Sequence, residues 1–215
     1  MSNVNISTVI PHAAIVIRIP SCRLSVDQVN DLLQPVADSS SYRLHLCHGA
    51  DTQETYVYLF EQNQADNDGK HDAPTTNDTL RKSVLATVTE TYPDARVDRM
   101  QITMDLQGAA NGEDPQWHYV VETDVAEGAE DDFNQWYMKE HMPGLAAVPG
   151  TIRTMRLYNS DAAPCHHALY LLQTRETFGS EPWLAVRATD WSSRVRPNFR
   201  NTKRTMFKII SKGLQ

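Results

Sequence analysis

The sequence offers few of the features that usually announce a function, and the absences narrow the field first. Cysteine is scarce: Cys22, Cys47 and Cys165 stand far apart with no C-x-x-C pair among them. That spacing removes a disulfide framework and a structural zinc site and fits a reducing, cytoplasmic setting. No stretch approaches the roughly 20 consecutive apolar residues that cross a bilayer. The opening MSNVNISTVIPHAAIVIRIP lacks a basic start and its apolar residues alternate, so it does not read as a signal peptide. Positive charge is outnumbered, 20 Lys and Arg against 27 Asp and Glu for a formal net charge of −7, which argues against a binder of nucleic acid or anionic membranes. G-x-G-x-x-G, P-loop, G-x-S-x-G and H-E-x-x-H patterns are all missing, and with them any support for nucleotide, flavin or serine-hydrolase chemistry. What is present is 215 residues at 40% hydrophobic content, enough for one large core or two of about 100 residues each.

Periodicity divides the chain in two. AAIVIRIP alternates as a strand, and SVDQVNDLLQPVA follows as a helix with Ser25 as N-cap. SYRLHLCHG and ETYVYLF form a hairpin pair, DTLRKSVLATVTETY restores helical spacing, and ARVDRMQITMDL closes the set as a strand. Between Glu61 and Asp78 the chain is polar and reads as a surface loop that could serve as a lid. After QGAANGEDPQ, rich in Gly, Asn and Pro, the same order restarts. WHYVVETDV is a strand, AEDDFNQWYMKEHM a helix, TIRTMRLYN and HHALYLLQT two strands, EPWLAVRATDWSSRV a helix and RTMFKIIS a strand. Twice β-α-β-β-α-β predicts two tandem ferredoxin-like domains, 1–108 and 116–215, joined by a linker over 109–115. Each would be an antiparallel sheet with both helices on one face. Two such sheets could then pack face to face as an α+β barrel. Strands such as RLHLCH and QITMDL alternate, which would line that barrel with a few polar groups, as a pocket requires.

One stretch concentrates chemistry. In FNQWYMKEHMPGL, Phe133, Trp136, Tyr137, Glu140 and His141 fall at i, i+3, i+4, i+7 and i+8, one stripe of a helix. Pro143 disfavours helical backbone at Met142, so the helix is expected to end near His141, where the macrodipole would raise the imidazole pKa. The pattern leaves two roles for His141, a helix C-cap or a group that meets a substrate. Phe133 and Trp136 read equally as core or as ligand walls, and Glu140 as a solvated partner or a functional carboxylate.

DDFNQWYMKEHMPGLAAVPGTIRTMRLY, residues 131–158, resembles the EthD-like branch of the dimeric α+β barrel superfamily. The shared features are Trp136, Tyr137, Glu140, His141 and Pro143, then Val148-Pro149-Gly150, then Arg153 and Arg156. The first half follows the same element order but lacks the motif and reads as a degenerate partner. The resemblance implies a catalytic role for His141 and Tyr137, and a small-molecule lyase, isomerase, cyclase or cofactor-free oxygenase with neither metal nor organic cofactor.

Other residues are weighed beside these. His118 could project into the barrel. Of Arg153 and Arg156, three apart in a strand, at most one can face inward. His166 and His167 are adjacent in a strand and point to opposite faces, as do His45 and His48, so no metal site is expected. Arg194, Arg196, Arg200, Lys203 and Arg204, interleaved with Trp191 and Phe199, read as a solvated helix end or as an anion pocket. The function expected is acid–base chemistry on a hydrophobic, oxygenated small molecule (aromatic, polyketide-like or terpenoid), with cofactor-free oxygenation of an electron-rich phenol or anthrone, or binding without turnover, as alternatives. Candidate substrate contacts are Trp136, Phe133, His118, Arg153 and Glu140. Outer helices and sheet edges leave room for a homodimer.

Overall fold

A computed structural model describes residues 13–35, 42–61 and 75–211; most of the expected 61–78 loop lies outside that range. The first half runs β1 (Ala13–Ile19), α1 (Val26–Leu33), β2 (Tyr42–Gly49), β3 (Thr55–Glu61), α2 (Thr75–Thr91) and β4 (Arg96–Gln107). The second runs β5 (Trp117–Val125), α3 (Glu130–Trp136), a π-helical turn (Tyr137–His141), α4 (Met142–Ala146), β6 (Thr151–Tyr158) and β7 (His166–Leu172), then α5 (Glu181–Arg187), α6 (Asp190–Val195) and β8 (Phe199–Ser211). No described helix is long and apolar enough to cross a membrane.

The α+β architecture is a single antiparallel sheet of eight strands closed on itself in the order β1-β3-β2-β8-β5-β7-β6-β4. Within each half the spatial order is fourth, first, third, second strand. The halves join edge to edge along two seams, β2 with β8 and β4 with β6. The strands therefore meet through hydrogen-bonded edges as well as across the interior, which leaves no free sheet edge among them.

Local chemistry accounts for the elements. Ser25 caps α1 through a capping box: its hydroxyl accepts from the Gln28 amide at 3.2 Å, and the Gln28 side chain accepts from the Ser25 amide at 2.8 Å. The α1 stripe of Val29 and Leu33 and the α2 pair Val84 and Val88 bury against Ile15, Ile17, Ile19 and Val57 on the outer face of the first-half strands. The second half repeats this with aromatics, packing Phe133, Trp136, Tyr137 and Trp183 over Tyr119, Val121 and Tyr170. The helix expected over 181–195 breaks at Thr189, whose hydroxyl accepts from the Ser192 amide at 3.0 Å and so starts α6 afresh.

The inward faces meet in a packed interior. Tyr58, Phe60, Met100, Leu157, Leu169 and Phe207 fill it, which corrects the expectation of a pocket between the sheets. The alternating strands do send polar groups inward, and many of these pair with one another, although the Tyr58 hydroxyl, His45 Nδ1 and His118 Nε2 have no partner. Near one end Arg18 Nη1 donates to Glu122 Oε1 at 2.8 Å and its other nitrogen meets Asp98. Tyr56 donates to Glu122 Oε2 at 2.9 Å, and Lys203 donates to the Tyr56 hydroxyl at 3.0 Å and bridges to Glu54. A cavity of about 210 Å³ remains beside this cluster.

Two outcomes follow from so closed an interior. Glu122→Ala strips the buried Arg18 and Tyr56 of a charged acceptor, and should cost about 3–5 kcal/mol in denaturant unfolding. A loss below about 1 kcal/mol would show that the ion cluster carries little. The interior histidines also set a pH limit. Burial lowers His45 to about 3 and His167 to about 4, and His118 well below its usual range. The folded state thus keeps these rings neutral while the unfolded chain protonates them near pH 6.5. Stability is full above about pH 6.5 and is lost as pH falls toward about 4, by up to about 1.4 kcal/mol per pH unit for each histidine. Denaturant midpoints that stay constant between pH 7 and 5 would contradict neutral, buried rings.

Candidate active site

The stretch from Glu130 to Ala146 is one continuous helical path with a bulge. Glu130, Asp131 and Asp132 occupy the first turn, where the macrodipole favours acids. Asp132 also accepts from Trp191 Nε1 at 2.8 Å and from Arg194 at 2.9 and 3.0 Å, which ties α3 to α6. The helix does not stop at His141 as expected. It widens to a π turn over Tyr137–His141, in which the Met142 amide donates to the Tyr137 carbonyl, and then continues through Pro143 to Ala146. A proline inside a helix has no N–H and its ring crowds the carbonyl four residues back. The wider turn immediately upstream is a known way to relieve that conflict, and such turns recur at functional sites. Beyond it, Gly144 lets α4 approach α5, because a β-carbon there would lie 2.8 Å from Val186. Gly150, at φ +88°, closes the Val-Pro-Gly turn into β6.

The bulge directs Tyr137 and His141 together onto the outer face of the barrel. Both are buried, at 2% and 7% exposure. They line a cavity of about 30 Å³ with Trp136, Trp183 and the neighbouring strand residues Tyr119 and Tyr170, while Arg187, Arg196 and Arg204 complete its wall. That space takes one small group, not a whole ligand. The His141 ring stacks on Trp136, centroids 4.0 Å apart and 21° from parallel, and meets Tyr137 edge-on at 5.3 Å. Its Nδ1 has no hydrogen-bond partner, nor does the buried Trp183 Nε1, whereas the Tyr170 hydroxyl interacts with that of Tyr137. Buried polar atoms normally find partners. Two such orphans, on His141 and Trp183, belong to residues lining this cavity.

Electrostatics reverse the expectation for His141. Burial, reinforced by Arg187, Arg196 and Arg156, lowers its pKa to about 3 instead of raising it, because no free helix end is present to attract the proton. Burial likewise pushes the Tyr137 hydroxyl up to about 12. At neutral pH the site holds a neutral imidazole and a protonated phenol.

The remaining candidates divide. Trp136 lines the cavity, while Phe133 is fully buried behind Tyr137, in edge contact at 4.8 Å. Glu140 accepts from Trp136 Nε1 at 3.2 Å and from the Thr189 hydroxyl at 2.6 Å, a brace between α6 and the π turn. Arg153 lies elsewhere and is held by Asp105 at 2.7 and 2.5 Å. Its neighbour Arg156 is the one that reaches the site, with its guanidinium 4.4 Å from the Tyr137 ring centre and donating to Asn134 at 2.9 Å. Arg156 also borders a separate groove of about 590 Å³ with Asn134, Met138, Tyr158 and His166. His118 points into the barrel, away from this site. There its Nδ1 lies 3.0 Å from His45 Nε2 and 3.9 Å from Cys47 Sγ. These three are the one group among the described residues with ligand atoms spaced to hold a metal ion, all within 4.8 Å of one another. Local spacing hid the group, since His45 and Cys47 share a strand face but His118 arrives from β5. The cavity residues Tyr119, Tyr170 and Trp183 were also missed; the outward parity of Tyr119 and Tyr170 was the available signal.

No family model matches the chain, and no curated protein is similar to it in sequence. Solved structures do match almost end to end. A proposed monooxygenase from Fusobacterium nucleatum aligns with a TM-score of 0.62 at 8% identity, covering 95% of this chain and 94% of that one. An anthrone oxidase-like protein aligns at 0.59 and 12%, covering 94% and 95%. A ferredoxin-fold protein from Listeria monocytogenes, related to antibiotic biosynthesis monooxygenases, aligns at 0.54 and 7%, covering 96% and 98%. Identities this low establish the fold, that of ferredoxin-like α+β barrel proteins, and nothing about the reaction.

The neutral state of His141 is directly measurable. NMR of histidine-labelled protein, with His141→Gln to assign the signal, should show no titration of this ring between pH 8 and about 5. A midpoint between 6 and 7 would place the imidazole in a wetter, less cationic setting than the one described.

Proposed function

We propose that the chain is a tandem of two ferredoxin-like domains, 1–108 and 116–215, in which only the second keeps an active site. In this reading it is a small-molecule enzyme that moves a proton at His141, with no metal or organic cofactor. The repeated strand order supports the duplication, and α1, VDQVNDLL, carries no counterpart of Tyr137 or His141. The EthD-like resemblance of residues 131–158 supports the assignment of the site. The observation that carries the function is the unpartnered His141 Nδ1 on a residue that lines an aromatic cavity sized for one reacting group.

The chemistry follows from the protonation states. A neutral imidazole can accept a proton from a carbon acid beside a carbonyl, or from a phenol, when the resulting anion is stabilised. Tyr137, protonated at neutral pH, can donate to the oxygen on which charge develops, and the neighbouring arginines lower the energy of that oxyanion. The low basicity of free His141, set first by burial, is partly offset in the same step, because the new anion counters the arginine charges that add to it. Substrates that suit the walls are hydrophobic and oxygenated: aromatic, polyketide-like or terpenoid. From an enolate or phenolate the outcome is elimination, isomerisation or cyclisation. A second reading, cofactor-free oxygenation, begins with the same proton removal and then uses the electron-rich substrate anion to reduce dioxygen. The monooxygenase and anthrone oxidase-like descriptions of the structural neighbours favour keeping it.

Turnover screening of anthrones, hydroxyquinones and lactones, with oxygen uptake recorded alongside product formation, separates these outcomes. His141→Gln should lower turnover by about 100- to 10,000-fold with binding retained, and Tyr137→Phe by a smaller factor. Full turnover in His141→Gln would remove the catalytic assignment. Tight binding of a compound that the native protein never converts would leave a binding protein.

A further inference from the structure

Resting on that reading of the His141 site, we propose that its substrate is an anion, an apolar aromatic acid whose carboxylate is held by Arg187, Arg196 and Arg204 at the cavity wall while only its reacting end enters the small space lined by the aromatic residues.

The argument begins with pairing. In this chain acids outnumber bases, 27 to 20, and most arginines whose side chains are described have found an oxygen. Arg18, Arg81, Arg153, Arg175 and Arg194 sit in ion pairs. Arg23, Arg96 and Arg200 donate to backbone carbonyls. Of the described arginines that do neither, Arg99 stands apart on β4, while Arg187, Arg196 and Arg204 all line the same cavity. They arrive from separate elements: Arg187 ends α5, Arg196 follows α6, and Arg204 stands on β8. Arg204 is brought there by strand parity, since Tyr119 and Met206 are register partners on the outer face of β5 and β8, whereas Lys203 turns inward to Glu54. The three are close enough to interact: burial first, then the charges of Arg187 and Arg204, lower the pKa of Arg196. A fourth, Arg156, is buried behind Tyr137 without a carboxylate.

Three cations held together against repulsion, with no counter-ion, form an incomplete site. The guanidinium fork matches a carboxylate in two-point geometry, which an ammonium does not offer. Arg187 is half-buried and Arg196 and Arg204 are exposed. The acid group therefore lies toward solvent, leaving the small enclosed space for the reacting end. The same charges would hold the substrate's developing oxyanion, so binding and catalysis would draw on one field.

Binding can be read without turnover, using 2-naphthoate and its neutral isostere 2-naphthamide as probes and the tryptophan fluorescence of Trp136 and Trp183 or calorimetry as readout. 2-Naphthoate should bind at least about tenfold more tightly than the amide, with an affinity that falls as salt is raised. Arg196→Gln and Arg204→Gln should each weaken the acid by about five- to tenfold and leave the amide unaffected. His141→Gln should keep binding the acid, so a failed catalytic assignment and a failed anion assignment remain distinguishable. Equal affinity for acid and amide, unchanged acid binding in both arginine variants, or no binding of the acid would overturn the proposal.

Discussion

Closure of the sheet along the β2–β8 and β4–β6 seams is the constraint on which everything else rests. An antiparallel sheet with helices on one face still has a bare face and two open edges. Joining two such sheets at both edges removes the edges and turns the bare faces inward, where they must fill a common interior. Here they do so with large side chains, and the charged groups that point inward pair with one another, as Arg18 does with Glu122 and Asp98. An interior so filled leaves only the cavity of about 210 Å³ beside the Arg18–Glu122 cluster among those described. The His141 cavity lies in the layer between sheet and helices, and there the two halves differ.

The difference lies in what the helices press onto the barrel. In the first half, aliphatic side chains of α1 and α2 meet isoleucine and valine, a layer that packs and does little else. In the second half, aromatics with polar tips take the same places. Rigid rings packed edge-on leave gaps that aliphatic chains would close, and their hydroxyl and imidazole groups need partners that the protein supplies incompletely. The π turn sharpens this by placing Tyr137 and His141 on one face immediately before a proline that would otherwise disturb the helix.

Charge sets the character of the site. His141 is neutral because burial and several arginines act in the same direction on it. The chain as a whole is acidic, so this local positive field comes from the arrangement of α5, α6 and β8 and not from composition. A positive field of this kind favours an anion over a neutral group.

Much of the fold was legible in the residue order. Alternation and helical spacing located the strands and helices to within a few residues in most cases, and their order foretold a barrel of antiparallel strands. The helical stripe through Phe133, Trp136, Tyr137 and His141 was equally legible, since periodicity of 3.6 is a local property that survives folding. Whatever depends on two distant segments meeting was not. Nothing local to FNQWYMKEHMPGL says that its stripe would face the outside of the barrel, that Pro143 would be absorbed by a wider turn, or that Arg153 would turn to Asp105 while Arg156 turned to Tyr137. Nor do Arg187, Arg196 and Arg204, spread over three elements, announce a common destination. Residue order alone dictated the elements and the chemistry available on each face, because backbone periodicity and capping act over a few residues. Tertiary structure decided where the cavity lies, which arginines reach it and that its histidine is neutral, because burial and electrostatic fields arise only when remote parts of the chain share a space.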